Sequence, residues 1–218
     1  MTGTGVAVVI LAGGEGRRMG GDKPLRHLAG RPLIAHALGL ARAYSPTVAI
    51  SVREAGQVAD IEDTPLIIDS EGLAGPLAGL AAGLKFARTL GFERLLTLPC
   101  DMPCLPEDLE RRLAVALVPP SRVAMAQAGD RLYPVCGLWV AGALDCLPSY
   151  TATGRSSLRG FAQHVGLSLA IWSDPTDVAF ANVNEVRDLA RLETVVGPRG
   201  GGVGSARSAP TRARATPI

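Results

Sequence analysis

Aromatic side chains make up only 4% of this 218-residue chain, as two Trp, three Tyr and four Phe, so an aliphatic core is expected. Histidine is rarer still. His27, His36 and His164 show neither H-x-x-x-H nor H-x-E spacing, which leaves them as surface or helix-face residues rather than metal ligands. The four cysteines, Cys100, Cys104, Cys136 and Cys146, sit in apolar settings and do not form a disulfide framework. Cys100 and Cys104 are separated by Pro103, and no second cysteine pair or neighbouring histidine completes a zinc site. Reduced thiols and a cytoplasmic location are expected. No apolar stretch approaches the ~20 residues of a membrane span. Met1–Gly5 carries no basic residue and precedes an apolar run of seven, so a signal peptide is not expected.

An excess of one charge is also missing. The net charge is +2, and the segment 197–218 carries four arginines (Arg199, Arg207, Arg212, Arg214) with no acid. Without them residues 1–196 hold 18 basic against 20 acidic side chains. That balance excludes the basic stripe of a nucleic-acid binder and favours small-molecule chemistry. At 47% hydrophobic residues, the chain can build one α/β domain, burying roughly 70% of its unfolded surface. After Gly197 the composition collapses to Gly, Ser, Ala, Pro, Thr and Arg, with only Val203 and Ile218 besides and no apolar period. One domain over 1–196 and a disordered tail over 197–218 are expected.

Short, nearly continuous apolar runs at 6–12, 47–52, 65–69 and 94–99 have the character of strands buried on both faces. Helices are expected between them at 31–44 and 75–90. The second keeps Leu77, Leu80, Ala81, Leu84 and Ala87 at three-and-four spacing. A third helix is expected at 106–117, with Pro106 in its first turn. Later strands at 122–127, 134–140 and 168–173 and helices at 142–149, 156–165 and 185–195 are less regular. The rhythm predicts an α/β fold, a three-layer Rossmann-like sandwich around a mostly parallel, mixed central sheet.

The most informative stretch is Leu11-Ala-Gly-Gly-Glu-Gly-Arg-Arg-Met-Gly-Gly-Asp-Lys23, where a buried-type strand runs into five glycines, two arginines and a lysine. Glycines let backbone N–H groups approach a ligand, a concave row of such donors suits an anion, and Arg17, Arg18 and Lys23 add donors that favour phosphate. Two common phosphate loops are excluded. The dinucleotide fingerprint fails because Met19 stands where its third glycine belongs. The P-loop fails because Lys23 is followed by Pro24 and not by Ser or Thr.

In open α/β sheets ligands sit at the carboxyl ends of strands. Asp69 ends the third strand-like run and Asp101 follows the fourth. Magnesium takes one or two carboxylates plus phosphate oxygens and water, which makes Asp101 the candidate metal ligand. As alternatives, both acids could be turn formers. The turn Gly72-Leu-Ala-Gly-Pro-Leu-Ala-Gly79 opens a helix whose free N–H groups suit ribose or phosphate oxygens, or simply packs closely through Gly75 and Gly79.

The glycine loop resembles the signature of nucleotidyltransferases in the nucleotide-diphospho-sugar transferase superfamily. Within it the chain is similar to the molybdenum cofactor guanylyltransferases at Leu11-Ala12-Gly13-Gly14, Arg18-Met19-Gly20-Gly21, Asp22-Lys23 and Gly30-Arg31-Pro32-Leu33. Cytidylyl-transferring relatives usually carry Ala at the Gly13 position. The resemblance implies transfer of GMP from GTP to the terminal phosphate of molybdopterin, with Mg2+ as cofactor and pyrophosphate as the second product. It implies Arg18, Lys23 and Asp101 as catalytic, with Asp101 also on the metal. For the nucleotide it implies Leu11, Ala12, Gly13, Gly14, Lys23, Ser51, Asp69, Gly75, Gly79 and Asp101. Asp69 would meet guanine, while Ser51 stands where the family usually has Asn. Phe180-Ala-Asn-Val-Asn184 matches a family block, placing Asn182 and Asn184 near the acceptor, although Asn184 could instead cap the last helix. Arg155 and Arg159 could face the acceptor phosphate or lie on a solvated helix face. Transient contact with molybdoenzymes or their chaperones is also implied. The alternatives are a cytidylyl- or sugar-1-phosphate nucleotidyltransferase, or a non-catalytic module that binds GTP or the cofactor.

Overall fold

A computed structural model describes residues 5–14, 23–58, 64–173 and 178–196. The segment expected to be a disordered tail, 197–218, lies outside the described residues, as do Arg17 and Arg18. In chain order the elements are β1 (Ala7–Leu11), β2 (His27–Leu28), β3 (Arg31–Pro32), α1 (Leu33–Tyr44), β4 (Val48–Val52), β5 (Leu66–Ile68), α2 (Pro76–Thr89) and β6 (Arg94–Pro99). There follow α3 (Leu109–Ala116), β7 (Val123–Ala128), β8 (Arg131–Val140), α4 (Leu147–Thr151), α5 (Leu158–Val165), β9 (Leu167–Trp172) and α6 (Val186–Val196).

Seven strands form one sheet in the order β5-β4-β1-β6-β8-β7-β9. β5, β4, β1 and β6 run parallel. β8 alone is antiparallel to its neighbours β6 and β7, and β9 pairs parallel with β7. The mixed sheet is as expected, and β7 and β8 form its antiparallel hairpin. α1 and α3 cover one face through Ile34, Ala37, Leu38, Leu109 and Leu113. α2, α4 and α5 cover the other through Leu77, Leu80, Tyr150 and Phe161. α6 packs apart from both, with Leu192 and Val183 against Leu28 and Leu33 of the hairpin region.

The structure departs from the expected boundaries at three helices, of which the one expected at 142–149 is 3-10 over Ala141–Cys146 and α-helical only over Leu147–Thr151. Residues 31–32, expected to begin a helix, pair antiparallel with 27–28 instead. The turn between them needs positive φ at Ala29 and Gly30, and α1 starts only at Leu33, whose N–H is held by Arg26 O at 2.8 Å. Pro106 does not open α3 either. Its carbonyl accepts from Leu109 N at 3.0 Å and from the Tyr44 hydroxyl at 2.7 Å, which makes 106–108 a separate turn. The core is aliphatic in number, yet its bulk is aromatic at the seams. Trp139, Tyr150, Phe161 and Phe180 are the largest fully buried side chains, and Tyr133 stacks on Phe180 with centroids 4.7 Å apart.

α2 lies unusually close to the sheet because its inner face is small. A Cβ on Gly83 would sit 3.0 Å from Leu95 Cδ2 and 3.3 Å from Val9 Cγ2. Gly83→Val should therefore overpack this seam and lower stability by about 1–3 kcal/mol, read as a lower urea midpoint with an unchanged m-value.

Candidate active site

The parallel register brings four strand ends side by side. Leu11 is level with Ser51 and Pro99, and Ser51 is level with Ile67. Leaving those strands, Gly13 and Gly14, Arg53, Asp69, and Asp101 join the N-terminus of α2 around a cavity of about 450 Å³. Asp69 and Asp101 follow strands three spacings apart, roughly 14 Å along the sheet edge. A nucleotide can lie along that edge with its base near one acid and its phosphates near the other.

At the Asp69 corner a carboxylate is wedged between backbones. Ser51 is fully buried on β4, and its hydroxyl donates to Asp69 Oδ1 at 2.5 Å. A Cβ on Gly13 would lie 2.5 Å from Asp69 Oδ2. One on Gly79 would lie 3.2 Å from Asp69 Oδ1 and 3.0 Å from Ser51 Oγ. The acid occupies the room that these two glycines leave. Gly75 caps α2 at φ 61° and ψ −152°, a conformation open essentially to glycine alone, and so presents the first turn of that helix to the cavity.

At the other corner Lys23 Nζ donates to Asp101 Oδ2 at 2.5 Å and to Asn184 Oδ1 at 3.0 Å. The Lys23 and Asp101 side chains are only 13% and 18% exposed. The segment carrying Asn184 is tied down by Val183 N–H donating to Asp101 O at 2.9 Å. Asp188 completes this tie, its Oδ2 accepting from the N–H groups of Asn184 and Glu185, each at 2.8 Å. Asp188 thus ties down the two residues just before α6, while the Asn184 side-chain oxygen accepts from Lys23. Cys100 lies beside Asp101, and burial pushes its thiol up to about 12, with the Asp101 charge adding to the shift. It stays protonated at neutral pH and cannot act as a nucleophile.

Among the described residues no group of three or more His, Cys, Asp or Glu side chains converges. Asp101, on a different strand end from Asp69, does not by itself make a closed metal site. It fits a hard divalent cation that brings phosphate oxygens and water as its remaining ligands. No described helix is long and apolar enough to cross a membrane.

A family model described as a MobA-like NTP transferase domain matches residues 8–167. The chain belongs to the MobA-like NTP transferase family. It is 39% identical over 191 residues to a molybdenum cofactor guanylyltransferase from Cereibacter sphaeroides, covering 86% of this chain and 95% of that relative. The fold is similar to that of molybdopterin-guanine dinucleotide biosynthesis protein A from Archaeoglobus fulgidus, with a TM-score of 0.73 at 21% identity over 88% of this chain and 98% of that one. A 2-C-methyl-D-erythritol 4-phosphate cytidylyltransferase from Thermus thermophilus shares it at a TM-score of 0.65 and 18% identity, over the same 88% and 98%. The fold alone does not choose the base.

Of the residues the family resemblance singled out, Leu11, Gly13, Gly14, Lys23, Asp69, Gly75, Gly79, Asp101 and Asn184 line the cavity. Three do not. Ala12 and Ser51 are fully buried behind the wall, and Asn182 is half-buried with its Oδ1 lacking a hydrogen-bond partner. Arg18 lies outside the described residues. Arg155 and Arg159 are exposed and away from the cavity. Sequence reasoning missed Arg53 and Val135, which both line it. Arg53 had a usable signal, a cation just past a buried strand. Val135 had none, because a register jump between Met125 and Ala126 sets Ala126 opposite Tyr133 and leaves 134–136 as a bulge.

The α6 tie carries a pH signature. The Asn184 N–H, aided by the Glu185 N–H and the Arg187 and Lys23 charges, holds the Asp188 carboxyl below the ordinary carboxylate range. A carboxyl lowered on folding adds stability above its unfolded value of about 3.9 and loses it as pH falls through the folded value. Asp188→Ala should be less stable than the parent in denaturant titrations at pH 7, with the gap narrowing as pH falls below about 4. An undiminished gap at pH 3 would assign the loss to something other than the carboxylate charge.

Proposed function

We propose that this chain transfers GMP from GTP to the terminal phosphate of molybdopterin, forming molybdopterin guanine dinucleotide and releasing pyrophosphate. The observation that carries this reading is the wedged Asp69 carboxylate, fixed by Ser51 and given room by Gly13 and Gly79. Guanine presents N1–H and N2–H side by side, and a carboxylate can accept from both. Adenine, cytosine and uracil lack that adjacent pair of ring and amino donors, so each would satisfy the carboxylate less completely. The guanylyltransferase name of the Cereibacter relative supports the same base and acceptor.

The acceptor needs no enzymic base, since a phosphate monoester with a second pKa of about 6 is already largely dianionic near neutral pH. Its oxygen attacks the α-phosphorus of GTP, and the bond from that phosphorus to the bridging oxygen breaks as pyrophosphate departs. Catalysis then rests on alignment and charge neutralisation. Lys23 stabilises the negative charge on the α-phosphate. Asp101 would hold a divalent cation, which we assign as Mg2+ and which would supply positive charge to the triphosphate. The glycine loop and Arg18 are assigned to the departing pyrophosphate on the resemblance alone. Asn184, which contacts Lys23, is assigned to the acceptor on the resemblance alone. The protonated Cys100 thiol gives no support to a covalent enzyme intermediate.

The same fold serves cytidylyl transfer in the Thermus protein, so the base must be tested directly. Pyrophosphate release with molybdopterin should be supported by GTP, with kcat/KM for CTP, ATP and UTP lower by about 100-fold or more. Comparable turnover with CTP would replace guanylyl by cytidylyl transfer, and GTP binding without release would leave a binding module. Asp101→Asn should lower GMP transfer about 10³-fold while the far-ultraviolet circular dichroism and the capacity to bind GTP persist. Retained turnover would remove Asp101 from the reaction.

A further inference from the structure

Gln57 ends the single 3-10 turn Ala55–Gln57 after β4 and is not part of the cavity wall. Its side-chain amide nevertheless makes three hydrogen bonds that bear on that wall. Nε2 donates to Ala12 O at 3.0 Å and to Gly14 O at 3.3 Å. Oε1 accepts from the Arg53 N–H at 2.9 Å. This network also fixes the amide's orientation. Turned over, it would set its oxygen against two carbonyls and its NH2 against an N–H, satisfying none of the three.

The two carbonyls flank Gly13, the residue that closes on Asp69. Ala12 is held from its other side as well, its N–H donating to Ser51 O at 2.9 Å. In a trans peptide the C=O of one residue and the N–H of the next point in opposite directions. Drawing the Ala12 carbonyl toward Gln57 therefore sends the Gly13 N–H the other way. A nucleotide is rich in oxygen acceptors, so a wall that offered it carbonyls would repel it, and a wall that offers an N–H attracts it.

We infer that Gln57 is a positioning residue for nucleoside triphosphate recognition: its amide draws the carbonyls on either side of Gly13 out of the wall, ties them to the Arg53 loop, and so sets the gap between Gly13 and Asp69. This inference rests on the GTP reading above. It acts on affinity and not on the transfer step, because Gln57 reaches neither Lys23 nor Asp101.

Two variants test it. Gln57→Ala removes the clamp, and the nearly isosteric Gln57→Glu puts oxygen where the NH2 faces two carbonyls. By calorimetry with GTP and Mg2+, the Kd should rise about tenfold in Gln57→Ala, the size of one or two lost neutral hydrogen bonds, and further in Gln57→Glu. The kcat at saturating GTP should change less than about twofold, because no group of the transfer step moves. A merely structural residue would lower the unfolding midpoint of the nucleotide-free protein and leave the Kd alone. Kd values within about twofold of the parent in both variants overturn the inference. Parent protein that binds GTP without transferring GMP removes the catalytic reading, while the Kd comparison still decides the role of Gln57. Parent protein that binds no GTP removes both.

Discussion

Every contact in the cavity depends on the parallel register of β5, β4, β1 and β6. A strand's side chains alternate between faces, so a slip of one residue in β4 would turn Ser51 from the α2 face to the α1 face. Ala49 packs with α2 and Ile50 with α1, which fixes the alternation by burial on both sides. The same constraint demands a helix that can come close. A Cβ at Gly79 would stand 3.0 Å from Leu11 and one at Gly83 3.0 Å from Leu95. The small face of α2 and the register of the strands are thus one requirement met from two sides. Together they place the first turn of α2 over the strand ends.

The charged corner is built from three distant segments. Lys23 comes from the end of the glycine loop, Asp101 from the turn after β6 and Asn184 from the approach to α6. Taking Lys23 and Asp101 largely out of water is costly, and their attraction offsets that cost only with close geometry and further hydrogen bonds. Contact at 2.5 Å and the Asn184 carbonyl provide both. Loss of either partner would strand the other as a partly buried charge. α6 contributes without entering the cavity, since Asp188 holds Asn184 and Glu185 by their backbones. The family match ends at residue 167, ahead of this last piece.

What was legible in the sequence follows from how each feature is encoded. The strands of the central sheet are buried on both faces, so they appear as continuous apolar runs, and an acid just past such a run stands out. Asp69 and Asp101 were visible for that reason. The hairpin at 27–32 was not, because strands of two residues have no period to detect and its turn relies on an alanine at positive φ. The start of α3 was misplaced because a proline that suits a first helical turn was claimed by the Tyr44 hydroxyl, 62 residues away. Asn184 could be read as a cap or as a ligand from sequence alone. The choice turns on Lys23, whose ammonium takes the Asn184 side-chain oxygen that a cap would need. Gln57 left no trace, since a glutamine after a strand is unremarkable until the chain folds its amide onto residues 12 and 14.

Ser51 shows how a buried hydroxyl sets a neighbouring acid. Its side chain is fully buried and its hydroxyl stops at Asp69. The hydroxyl has one hydrogen to donate, and Asp69 Oδ1 takes it, which holds the carboxylate in a single orientation. That orientation is tolerable only because Gly13 and Gly79 have no side chains to displace it. The geometry of the corner belongs to the set of four residues and cannot be assigned to the serine or the acid alone.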